Sequence, residues 1–120
     1  MAPGAQEAEL DLVIDDGSCI RVLRSWLRER LGGDRLVDVE LVCVELVTNA
    51  IEHARAPRSF RLRLGARASI EVDDSGPDRP LSPRRPSFSE LRGRGLAIVD
   101  ALSTWGVRRT PTGKTVWASL

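Results

Sequence analysis

One histidine, His53, and two cysteines, Cys19 and Cys43, are all that this chain has of the softer metal-ligating side chains, and no close spacing joins them. The pattern is not that of a zinc site, and the cysteines read as buried free thiols. No apolar run approaches the ~20 residues that cross a bilayer. Glu7, Glu9 and Asp11 stand ahead of the first apolar stretch, where a secretory leader would be basic. The chain therefore reads as cytoplasmic, with no membrane partner. Charge of one sign is missing too: 18 basic and 17 acidic residues leave a net charge of +1, too small a field to gather nucleic acid. Lysine is nearly absent, Lys114 being the only one, so the basic character rests on arginine, which speaks of genome composition more than of function.

What is present is an ordinary globular balance, 42% hydrophobic and 29% charged, in 120 residues. That length supports one domain with a modest core. We expect a flexible segment over 1–9 and a single domain over 10–120, with no internal repeat.

The periodicity gives a sequence of elements. Leu10, Leu12 and Ile14 alternate with polar neighbours as a half-buried strand does. Ser18 stands where it can cap the helix that follows. Cys19, Val22, Leu23, Trp26, Leu27 and Leu31 fall on one face of that helix, Arg21, Arg24 and Arg28 on another, and Gly32 and Gly33 end it. From Asp34 to Ala54 apolar residues occur on nearly every side, which predicts a central helix packed on both a sheet and a neighbour. Arg58 to Leu64 and Ala68 to Val72 alternate around Gly65 and predict a hairpin ending at Asp73 and Asp74. Gly76 to Arg92, rich in proline, serine and arginine, predicts a long loop of the kind that is usually functional or disordered. A helix over Gly93–Leu102, with Leu96, Val99 and Leu102 inward, precedes a second hairpin, Trp105–Arg109 and Thr115–Leu120.

Three polar islands interrupt this pattern: ELVTNAIEHA (Glu45–Ala54), DDSG (Asp73–Gly76) and GRGLAIVDAL (Gly93–Leu102). Glu45 and Asn49 lie about 40° apart on one helix, with Glu52 and His53 on the same side. Such a pair is commonly a solvated face, but here it sits in an apolar surround, where a carboxylate needs a partner. An amide oxygen is a sound Mg²⁺ ligand beside phosphate oxygens, and a carboxylate one turn away can accept a hydroxyl proton. Asp74 at a strand end can accept from an adenine amino group, with Gly76 letting the ring approach, though Asp-Ser-Gly is also a plain turn. Gly93 and Gly95 open a helix whose free N–H groups favour phosphate. Each island is weak alone; their order and separation point to a nucleotide and its metal.

The order of these boxes, with the closing GKTVWASL (Gly113–Leu120), resembles the histidine-kinase-like ATPase superfamily of gyrase, Hsp90 and MutL. Within it the chain is most similar to the bacterial anti-sigma factor serine kinases of actinobacterial type, over about Leu10 to Leu120. The resemblance implies a Bergerat-type fold: a two-layer α/β sandwich whose mixed, mainly antiparallel sheet of about five strands has three helices on one face. It implies ATP and Mg²⁺ as cofactors, with Glu45 as general base, Asn49 as metal ligand, His53 lining the site, and Asp74 and Gly76 at the adenine. It implies Gly93, Gly95 and Leu96 as the turn over the phosphates and Thr115 as the hydroxyl supporting the adenine site. Asp78 departs from the family, standing where a second glycine is usual.

Three functions fit. A protein serine kinase would bind a sigma factor, phosphorylate an anti-sigma-factor antagonist and form a homodimer, with Arg21, Arg24 and Arg28 as the contact surface for the sigma factor. A catalytically weak ATP-binding regulatory module would act by protein binding alone, and Asp78 favours it. The catalytic domain of a two-component histidine kinase fits least, since its phospho-acceptor helix pair has no counterpart here.

Overall fold

The computed structural model of the chain describes residues 7–75 and 96–120. Alternating apolar and charged residues produce the strands. In β1 (Ala8–Val13), β2 (Arg58–Leu64) and β3 (Ala68–Asp74), Phe60, Leu62, Leu64, Ala68, Ile70 and Val72 turn to the core. Charged residues between them turn outward. Two further strands, β4 (Thr104–Thr110) and β5 (Gly113–Ser119), form the second hairpin. The sheet order is β1-β2-β3-β5-β4. The mixed sheet expected from the sequence is corrected: all four pairings among the described strands are antiparallel.

Among the described residues three helices cover one face: α1 (Ser18–Arg28), α2 (Gly33–His53) and α3 (Ala97–Leu102). The α1 helix buries Cys19, Leu23 and Leu27, while Val22 stands 50% exposed, outside the stripe assigned to it. Its start is not capped by the Ser18 side chain. The Asp16 carboxylate instead accepts the Ser18 N–H at 2.8 Å, and the Ser18 N–H and hydroxyl hold that carboxyl below its ordinary value. The helix also ends before Leu31: the Arg30 guanidinium bonds the Trp26 carbonyl at 3.0 Å and lies 4.2 Å over its ring. Gly33, at φ 61°, occupies the left-handed region that favours glycine, and lets α2 start in a new direction.

The α2 helix buries Val39, Val42, Cys43, Leu46, Val47 and Ala50 against the sheet. The expected packing on a sheet and a neighbour is found, α2 lying against β3 and between α1 and α3, while Val37 is 53% and Leu41 41% exposed. The sheet and two flanking helices cover three sides of α2 and leave the fourth open among the described residues. Both cysteines lie in this core, and burial pushes both thiols up. The α3 helix is held to β4 by a bond from Trp105 Nε1 to Asp100 Oδ1 at 2.9 Å.

The other face of the sheet is polar. Arg61 lies between Asp11 at 3.5 Å and Glu71 at 3.1 Å, and Arg108 reaches the second Glu71 oxygen at 2.7 Å. The cations hold the Glu71 carboxyl below the usual carboxylate range, the Arg108 hydrogen bond being the largest cause. No described helix is long and apolar enough to cross a membrane.

Candidate functional site

The end of α2 and the end of β3 are brought together by Arg58, the first residue of β2. Its Nη1 bonds the carbonyls of Ala50, Ile51 and Ala54 at 3.2, 3.3 and 3.4 Å. Its Nε bonds Ile14 O at 3.2 Å and its Nη2 bonds Asp15 O at 2.7 Å. A cation at a helix C-terminus satisfies carbonyls with no partner inside the helix and meets the negative end of its dipole. Across the sheet Arg58 pairs with Asp74, and Asp74 with Lys114. Ser75 closes the corner, its hydroxyl donating to Ala56 O at 2.6 Å.

Along the face beneath the helices, the rows where β3 meets β5 run Ile70–Ala118, Val72–Val116, Asp74–Lys114. Two apolar rows are thus followed by a charged one. The Lys114 ammonium stands 2.7 Å from Asp74 Oδ2, with the two side chains 11% and 2% exposed. A carboxylate this buried requires such a partner, since an unpaired one would cost several kcal/mol. Thr115 is on the other face. It pairs with Asp73 in the register, and its hydroxyl donates to the Asp73 carboxylate. The expectation that Thr115 supports the site around Asp74 is therefore corrected: successive strand residues point to opposite faces, and Lys114 holds that place. Parity was the available signal, since Val116 and Ala118 face inward and Lys114 shares their alternation.

Asn49 and Glu45 are half-buried, one turn apart on α2. The Asn49 side-chain oxygen is buried and has no hydrogen-bond partner among the described residues. A buried acceptor left unpaired costs about 1–3 kcal/mol, so this oxygen is set up for a group not made by the described chain. A hard cation such as Mg²⁺, which takes oxygen ligands and keeps several waters, suits it. Glu40 faces α1, with Arg28 Nε 3.5 Å from its carboxylate. Asn49 follows it by about two and a half turns and so points to the opposite flank of α2.

The remaining candidates separate. Leu96 is buried at the start of α3, where its carbonyl accepts the Asp100 N–H at 2.9 Å. His53 is exposed in the last turn of α2, its Nε2 3.7 Å from the Glu52 carboxylate. Arg21, Arg24 and Arg28 are exposed along α1, on the far side of α2 from Asn49. Gly76, Gly93 and Gly95, together with Asp78, lie outside the described residues. The described residues thus present a buried carboxylate paired with an ammonium at one end of the sheet and, on α2, an orphaned amide oxygen with a carboxylate one turn away. The family model for the histidine kinase-like ATPase domain matches residues 16–120. No curated protein matches the chain.

Proposed function

The chain belongs to the histidine kinase-like ATPase domain family, and from that membership we propose that it is an ATP- and Mg²⁺-binding anti-sigma factor of the serine-kinase type. It holds a sigma factor and phosphorylates a serine of an anti-sigma-factor antagonist. The family supports nucleotide binding and a kinase-like regulatory role; the sigma factor, the antagonist, a homodimer and a cytoplasmic setting rest on the resemblance of the boxes. The observation that carries the reading is the buried oxygen of Asn49, which has no partner among the described residues.

In this reading Asn49 would hold Mg²⁺ through its side-chain oxygen. The bound ion supplies neutralising charge on the triphosphate. Asp74 accepts from the base. Glu45 takes the proton of the serine hydroxyl as that oxygen bonds the γ-phosphorus and the bond to the leaving ADP oxygen breaks. A second reading, a catalytically weak regulatory module, is favoured by Asp78, an acidic side chain where a glycine is usual and close in sequence to Asp74.

Transfer of the terminal phosphate of labelled ATP to an antagonist protein tests both. The kinase reading expects label on the antagonist and a fall of about 10²–10⁴-fold in Glu45→Gln with nucleotide still bound, the scale of general-base loss. Nucleotide-dependent sigma capture without label transfer would replace it with the regulatory module.

A further inference from the structure

Asn49 and Glu45 belong to a longer strip of α2. At about 100° per residue, Asp34, Glu45 and Asp38 fall within about 40° of one another, with Asn49 about 20° beyond Asp38. The exposed Val37 and Leu41 adjoin this strip on its outward side. Among the described residues no cation pairs with Asp34, Asp38 or Glu45, whereas Glu40, on the flank toward α1, has Arg28 at 3.5 Å. Asp34 suits the first turn of the helix. Asp38, a turn further in and four residues from a like charge, has no such reason.

The nucleotide-site reading gives the strip a direction. The end of β3 meets the chain just past α2, where the Ser75 N–H bonds the Arg55 carbonyl and the Ser75 hydroxyl bonds those of Arg55 and Ala56. Asp74 therefore lies toward the C-terminal end of α2. From that end the helix presents Asn49, Glu45, Leu41, Asp38 and Asp34 in turn. With the base at Asp74 and the phosphates near Asn49, a serine that meets Glu45 leaves the rest of its own chain over the N-terminal half of α2.

The geometry points to that half of α2 as the docking surface for the phosphate acceptor, a protein segment that sets an apolar side chain on Val37 and Leu41 and a cation against Asp34 and Asp38. The inference rests on the nucleotide-site reading and deepens it by giving the chemistry of the acceptor.

Charge complementarity selects this occupant. An acidic segment would be repelled by the strip and by the triphosphate alike. A guanidinium, with donors in a planar fork, suits carboxylates one turn apart. Distance selects the spacing. At about 1.5 Å per residue, Leu41 is about 6 Å along the helix from Glu45, Asp38 about 10 Å and Asp34 about 16 Å. An extended segment advances about 3.3 Å per residue and turns alternate side chains to the same face. Its second residue from the serine therefore meets Leu41, and its fourth stands between Asp38 and Asp34.

Two synthetic peptides provide the test. The first has a central serine with leucine two residues and arginine four residues to each side, which serves either chain direction, and the second has glutamate in place of arginine. Their binding to the full chain is read by fluorescence anisotropy, with ATP affinity and melting temperature taken alongside. The inference expects the arginine peptide to bind about tenfold tighter, the scale set by exposed pairs exchanged for repulsions. Asp34→Asn with Asp38→Asn should remove most of that preference, and Asp34→Lys with Asp38→Lys should reverse it, both with ATP affinity unchanged. Equal binding of the two peptides by a chain that binds ATP overturns the inference and leaves the nucleotide-site reading standing, the face then belonging to another occupant, a second copy or a segment of the same chain. A preference that persists in a folded double variant also overturns it. Selective peptide binding by a chain that does not bind ATP overturns the nucleotide-site reading, and the acceptor assignment with it.

Discussion

Asp73 and Asp74 are consecutive in the chain and stand on opposite faces of the sheet. Asp73 accepts the Thr115 hydroxyl on the polar face, while Asp74 pairs with Lys114 beneath the helices. Two identical side chains thus have different chemistry, decided by strand parity alone. The division also tells which substitutions should affect a ligand and which only the sheet.

Asn49 should be needed for metal-dependent binding and not for the fold. Its oxygen has no partner to lose among the described residues, so Asn49→Ala should leave the melting temperature unchanged or slightly raised while weakening Mg²⁺-dependent ATP binding about tenfold or more. Titration calorimetry with and without Mg²⁺ measures it. Equal ATP affinity in the variant would remove Asn49 from the site.

Arg58 should behave in the opposite way. Arg58→Met removes the donor from five main-chain oxygens, and hydrogen bonds from a charged donor contribute about 1.5–3 kcal/mol each. The bonds share one side chain and do not add, so a loss of about 3 kcal/mol is expected, read as a lower urea midpoint at unchanged slope. An unchanged midpoint would mean that water replaces the guanidinium without cost.

Glu71 gives the pH dependence. Arg108 and Arg61 hold its carboxyl below the ordinary value of 4.5, so the folded chain binds that proton less readily than the unfolded chain. Its contribution is complete above 4.5 and is lost as pH falls toward the folded value. The stability gap between the unmodified chain and Glu71→Gln should therefore be constant at neutral pH and close on acidification. A gap that widens in acid would contradict the assignment.

Arg21 and Arg24 supply the partner test. They lie on α1, whose neighbour Glu40 is on the flank of α2 opposite Asn49, and clustered guanidiniums make bidentate bonds to carboxylates. Arg21→Glu with Arg24→Glu should abolish capture of the sigma factor in a pull-down and leave ATP binding as it was. Full capture by the double variant would move the partner surface elsewhere.

Much of the architecture was legible because its periods are clean. Phe60, Leu62 and Leu64 alternate with charged neighbours, and the hairpin they open is found where the alternation puts it. Cys19, Leu23 and Leu27 show helical spacing and are buried. Errors arose where a local pattern met a tertiary constraint. Val37 and Leu41 are apolar enough for a core, yet no neighbour among the described residues covers their side of α2. Asn49, Glu45 and Asp74 were identifiable from residue type and order. Lys114 was overlooked although it shares the alternation of Val116 and Ala118, since a lone lysine beside a turn reads as a surface residue until the register sets it against Asp74. Arg58 was invisible too, because Ile14 and Asp15 are remote from it in sequence and the main-chain carbonyls it bonds at Ala50, Ile51 and Ala54 leave no mark in the residue pattern.

That guanidinium carries one more consequence. It joins the exit of an edge strand, the last turn of the longest helix and the first residue of β2 at a single point. None of the three can open without releasing donors that the other two use, so local fluctuations there form one cooperative unit. In native-state hydrogen exchange the Ile14 amide, bonded to Arg58 O, and the Ala54 amide, bonded to Ala50 O, should share one opening free energy. A ligand that quiets the end of the helix would then slow exchange at the edge of the sheet without touching it.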